Sequence, residues 1–183
     1  METPKNILLQ YQEKMKTTVD LIPRASVLLA VKSLQKAREN RSTVYVAGNG
    51  GSACNASHLV LHLTDAGIRA IDLSGQSPQV SAYANDFGYK EIFVRQAGSV
   101  ERGDVLVILS GSGSSINVMR LLEDNQYQAT YVDRIALLGF SGGQILAQGL
   151  SNIPIHVVSD NYGMIEDCHS MIIHMIHEAL RLA

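Results

Sequence analysis

Apolar positions recur at helical spacing through residues 5 to 40, at Ile7, Leu8, Tyr11, Met15 and Val19, then at Val27, Leu28, Val31 and Leu34. A recurrence every three or four residues draws a stripe along one side of a helix, and Pro23 interrupts it because its ring cannot continue the backbone ladder. Two helices are predicted. Beyond them the pattern changes to short apolar runs, Val44-Tyr45-Val46-Ala47, Ile68 to Leu73, Val105 to Leu109, Ile135 to Leu138 and Ile155 to Val158, with helical patterning between. Runs that are apolar throughout, rather than alternating, belong to strands covered on both faces. Their alternation with helices predicts an α/β fold, a three-layer α/β/α sandwich around a five-stranded parallel sheet, plus the N-terminal helices. No repeat, low-complexity tract or linker divides the chain, so residues 1–183 are expected to form a single domain, an ordinary length for one core.

In such a sheet, ligands bind at the loops after the carboxyl ends of strands. Two of those loops carry unusual residues. Gly48-Asn49-Gly50-Gly51-Ser52 follows the first strand and Ser110-Gly111-Ser112-Gly113-Ser114-Ser115 follows the third, each running into a helix. Glycines let backbone N–H groups approach an anion, the helix N-terminus adds a favourable dipole, and serine hydroxyls add donors. Either loop alone also fits an ordinary turn with a capping serine. The pair points to a shared phosphate site. Neither loop continues as Gly-Lys-Ser/Thr, and the first lacks the third glycine of a dinucleotide fingerprint, which disfavours a nucleotide. Ser141-Gly142-Gly143, after the fourth strand, reads as a turn and helix start, with a third polar loop at the cleft as the alternative.

The charge of −2, three Phe, no Trp and no Lys/Arg run leave no footprint for nucleic acid. Cys54 and Cys168 fall in helical segments and are expected as free thiols. The N-terminus has no apolar signal core, and no run reaches the roughly 18 apolar residues of a membrane span. A cytoplasmic protein without membrane partners is expected.

The segments Gly48 to His58, Asn85-Asp86-Phe87-Gly88, Gly103 to Leu106 and Ser110 to Val118, in this order, resemble the sugar isomerase (SIS) domain family. Within it the chain is most similar to the phosphoheptose isomerases, which act on sedoheptulose 7-phosphate. The resemblance implies a flavodoxin-like SIS fold and a homotetramer with active sites at subunit interfaces, in which residues 1–40 form a helical extension that packs in the oligomer. It implies phosphate and sugar contacts by Asn49, Gly50, Gly51, Ser52, Asp86, Ser110, Gly111, Ser112 and Ser115. Gly111 stands where the family usually has Thr. After Thr64 the chain turns at once through Asp65-Ala66-Gly67, and Ala66 stands where relatives carry the arginine of a longer loop.

Five of the six histidines fall in two helical segments. His58 and His62 are one turn apart, so they share a face and suit a common metal. In the last helix, expected over roughly Ile165 to Leu182, Glu166, Ser170, His174 and His177 fall within a sector of about 80°, with His169 just outside it. A histidine taken singly also fits a polar face, an interface or a satisfied core position. In phosphoheptose isomerases the positions matching His58, His62, Glu166 and His174 are typically His, Glu, Gln and His, so this chain exchanges the place of its carboxylate. We expect these four residues to form a zinc site, one ion per subunit, and His174, Glu166 and His62 to be the catalytic set. Three imidazoles and one carboxylate are good zinc ligation. The chemistry implied is aldose–ketose isomerisation, most simply of sedoheptulose 7-phosphate to a heptose 7-phosphate through an enediol, with metal assistance. The alternative is a non-catalytic SIS module that binds a sugar phosphate or a protein, of the replication-initiator-associating type.

Overall fold

The structure is a computed structural model and describes residues 3–98, 100–124 and 132–182. Helices α1 (Pro4–Asp20) and α2 (Arg24–Asn40) meet at the Pro23 break. Thr3 caps the first, its hydroxyl accepting from the Asn6 N–H, and Arg41 ends the second in the left-handed region at φ 57°. The strands follow: β1 (Thr43–Gly48), β2 (Arg69–Asp72), β3 (Val105–Ser110), β4 (Asp133–Leu138) and β5 (Ile153–His156). Between them run α3 (Gly51–Asp65), α4 (Ser77–Phe87), a 3₁₀ turn (Tyr89–Glu91), α5 (Ile92–Gln96), α6 (Ile116–Glu123) and α7 (Gly143–Ala147), and α8 (Tyr162–Arg181) closes the chain.

All neighbouring strands pair in parallel, in the order β2-β1-β3-β4-β5. Alternate residues of each strand enter opposite layers, as a period of two requires. Val44, Val46, Val105, Val107, Ile135 and Leu137 face a core built with α2, α3 and α8. Tyr45, Ala47, Leu106, Ile108, Ala136 and Leu138 face a second core built with α5, α6 and α7. The five-stranded α/β/α sandwich read from the hydrophobic pattern is therefore the one observed. β2 is the exposed edge, where Arg69 and Asp72 blunt it against further pairing.

Strand order reverses between β1 and β3, so the loops leaving those two strands diverge and open a crevice at their carboxyl ends. Both Gly/Ser-rich loops lie there. The segment 141–143 is a turn that starts α7, with φ of 79° at Gly142 and 56° at Gly143. It also braces the serine loop, since the Ile145 N–H donates to the Gly113 carbonyl at 2.9 Å. Cys54 and Cys168 are free, one exposed on α3 and one buried in α8.

Candidate active site

A cleft of about 270 Å³ occupies the crevice. Asn49, Gly50, Gly51 and Ser52 line it from β1 and the head of α3, and Ser110, Gly111, Ser112 and Ser115 from the loop before α6. The first turns of α8 supply a third wall, Tyr162 and Glu166. Asp86 lies outside this lining, exposed near the end of α4, where its carboxylate accepts from Asn85 at 2.8 Å.

Side chains hold the two loops at a fixed separation. Asn49 and Asn117 exchange amide hydrogen bonds, Nδ2 to Oδ1 in each direction at 2.9 Å, and the Tyr89 hydroxyl donates to the Asn49 Oδ1 at 2.8 Å. Asn117 is 1% exposed, so its side of this reciprocal pair is shielded from water. The Asn49 amide expected to meet sugar is thus already engaged in positioning. Behind β1, Ser74 Oγ donates to the Gly48 carbonyl while accepting from the Gly48 N–H, both at 2.9 Å.

Helices α3 and α8 run side by side, both with their N-termini at the cleft. Glu166 rests against Gly51 at the head of α3, where a side-chain carbon in place of the glycine hydrogen would overlap its carboxylate. That position suits an anion, because the first turn of α3 offers free N–H groups and the positive end of its dipole. Asn55 Nδ2 donates to the Glu166 carbonyl at 2.9 Å and ties the two helices together.

Two turns further down, His58, His62 and His174 converge, with candidate ligand atoms all within 4.8 Å of one another. The Nε2 atoms of His58 and His62 are 2.9 Å apart, and the His174 ring lies 5.0 Å from His58 and 5.2 Å from His62 between centroids. Glu166 is not part of this triple, since it and His174 are separated by eight residues, about 12 Å along the helix. Burial lowers the His62 pKa, and the neighbouring imidazoles of His177, His58 and His174 lower it further against the opposing pull of Asp65. A neutral imidazole is the form that binds a metal. This donor set fits a zinc ion, three imidazole nitrogens with one position left open.

His177 backs the triple, its ring 4.3 Å from that of His62 and its Nε2 2.9 Å from Asp65 Oδ2. His169 lies elsewhere, fully buried under β4. Sequence reading placed His177 in the right sector without assigning it a contact, and it missed Tyr162, Asn117 and Tyr89. The spacing of Tyr162 one turn before Glu166 was the available signal for the first. α3 ends as the short turn anticipated: Gly67 adopts φ 77° and the Ile68 N–H returns to the Leu63 carbonyl at 2.9 Å, a Schellman closure without room for an added loop.

A family model described as the SIS domain matches residues 10–139. A phosphoheptose isomerase of Helicobacter pylori is 31% identical over 182 residues, 94% of this chain and 91% of the relative. One from Buchnera aphidicola is 36% identical over 88% of this chain and 82% of its own length. The solved structure of a phosphoheptose isomerase from Francisella tularensis superposes with a TM-score of 0.90 at 28% identity, covering all of both chains. Sequence motifs, sheet order and cleft agree with these likenesses, and the chain belongs to the SIS domain family, among its phosphoheptose isomerases.

Proposed function

We propose that the chain is an aldose–ketose isomerase that interconverts sedoheptulose 7-phosphate and a heptose 7-phosphate. The observation that carries this reading is the two-ended layout, with the Gly/Ser-rich loops at the heads of α3 and α6 and the histidine triple two turns down α3. From Ser52 to His58 α3 advances about 9 Å. An open-chain heptose 7-phosphate has eight bonds from phosphorus to C1, about 10 Å at the roughly 1.2 Å per bond of an extended chain. Phosphate on the serine loop therefore brings C1 and C2 to the histidines.

Ser52, Ser110, Ser112 and Ser115 hold the phosphate with the N–H groups of both loops, and Asn49 and Asp86 are assigned to the sugar. His58, His62 and His174 would hold one zinc ion, which supplies polarisation of the carbonyl and stabilisation of the enediolate charge. Histidines engaged in that way cannot take a proton, and Glu166 is the one carboxylate among the described residues that line the cleft. We assign it the carbon transfer, removing a proton from C1 of the ketose and returning it to C2 of the enediol, while the O1 hydroxyl proton passes to O2. Glu166 rests at the phosphate end, so this assignment requires its side chain to swing away from Gly51 and along α8 toward the histidines, a movement that a phosphate dianion on the head of α3 would drive. The chain works in the cytoplasm as a homo-oligomer, and α1 supports this with an apolar face, Leu8 being 68% exposed and Ile7 52%.

Protein purified without chelator is expected to carry about one zinc per chain, lost in His58→Ala, and to convert sedoheptulose 7-phosphate to an aldoheptose phosphate. Absence of stoichiometric metal with unchanged turnover in His62→Ala would remove the metal from the account. No aldose product with metal present would favour the non-catalytic alternative.

A further inference from the structure

The serine loop has a gap in its row of hydroxyls at Gly111, between Ser110 and Ser112, and the space above that glycine is filled by another element. A side-chain carbon built on Gly111 would lie 2.9 Å from Cε1 and 3.0 Å from Cδ1 of Tyr162. Tyr162 opens α8, whose N-cap Asn161 accepts from the Met164 N–H, so a capped helix end sets the tyrosine's position. The ring meets Phe140 edge to face, with centroids 4.6 Å apart and planes at 71°. Phe140 is itself held in a rarely adopted backbone conformation, φ 43°, where its carbonyl accepts from His156 Nε2 at 2.8 Å. A strained, hydrogen-bonded phenylalanine used as a backstop fixes the ring against one face of the cleft. The hydroxyl has no partner among the described residues, although the side chain lines the cleft beside Ser110 and Ser112.

We propose that Tyr162 is a phosphate-binding residue, its hydroxyl supplying the donor that the loop lacks at Gly111, with Gly111 kept free of a side chain so that the ring can reach this position. The assignment rests on the sugar-phosphate reading of the cleft and adds to it a ligand from α8. It makes the glycine and the tyrosine one device. A hydroxyl on the loop and a ring over it exclude each other.

The test is calorimetric binding of inorganic phosphate and steady-state kinetics with sedoheptulose 7-phosphate, on wild type, Tyr162→Phe, Tyr162→Ala and Gly111→Ser with Tyr162→Ala. Tyr162→Phe is expected to weaken phosphate binding about tenfold and to raise KM similarly with kcat within about twofold, the pattern of a lost uniform binding contact to a charged group. Its thermal unfolding should be unchanged, because the side chain is 57% exposed. The double variant, with a hydroxyl restored to the loop and the ring removed, is expected to bind phosphate better than Tyr162→Ala alone. Phosphate affinity in Tyr162→Phe within twofold of wild type would overturn the proposal, whatever the turnover. A wild type that binds phosphate but yields no aldose, with Tyr162→Phe weakened, would uphold Tyr162 and refute only the isomerase reading.

Discussion

His169 shows how a single side chain can set the acid limit of the fold. It is wholly buried, its Nδ1 has no partner among the described residues, and its Nε2 lies 3.4 Å from the Leu138 carbonyl. Burial pushes its pKa down from 6.5 to about 4, with the Leu138 contact opposing weakly. Because the folded value is the lower one, the unfolded chain binds this proton first. The stability it protects is complete above pH 6.5 and is lost as pH falls from there toward 4, at about 1.4 kcal/mol per unit. Urea unfolding at pH 7 and pH 4.5 should therefore show a steep acid loss that is shallower by about 2 kcal/mol in His169→Leu; equal acid losses would contradict this. Asn117 is the second residue whose effect should be disproportionate. Asn117→Ala leaves the Asn49 amide without its reciprocal partner and frees the loop separation, so a loss of about 1–3 kcal/mol in stability is expected together with a raised KM for the sugar phosphate. Neither effect was visible in the sequence, because a burial and a partner 68 positions away are properties of the folded chain.

At the scale of elements, α8 makes the cleft by docking its first two turns on glycines of both loops. Glu166 needs Gly51 and Tyr162 needs Gly111, so these glycines are required for close approach rather than for their own dihedral angles. Gly51→Ala should displace Glu166 and lower kcat at least tenfold, whereas the same change in a Glu166→Ala background should cost little more, a coupling read by a double-mutant cycle. Additive effects would show that the two do not meet. The helices and strands themselves were legible, since the apolar runs are buried on both faces and the periodic stripes do cover the sheet. The starts of elements were less so: the last helix begins at Tyr162 rather than Ile165, because its N-terminus is set by the Asn161 cap ahead of the first apolar contact. The shared cleft of the two Gly/Ser-rich loops could be read because both follow strands that flank the point where the sheet order reverses. The histidine triple could be read in part, as helical spacing aligned His58 with His62 and put His174 on the face of α8. The position of Glu166 could not, because its side chain follows the electrostatics of the α3 terminus and not its sector on the helix.

For the whole molecule, the strand order places the cleft where the loops after β1 and β3 diverge, and α3 and α8 run from it to the histidine triple. α1 leaves Ile7, Leu8 and Leu9 exposed in a single chain, and replacing Leu8 with Glu is expected to lower the oligomeric mass in sedimentation while leaving the secondary structure unchanged. An unchanged mass would place the contact elsewhere. In the proposed function, the chain moves a proton between C1 and C2 of a ketose phosphate bound by its phosphate. Its most direct test is incubation of the zinc-loaded protein with sedoheptulose 7-phosphate in deuterated water, followed by NMR at C1 and C2. Solvent deuterium should enter those carbons in wild type, and Glu166→Gln should slow its entry by about 10²-fold or more. Binding of the sugar phosphate with no deuterium at either carbon would contradict the account.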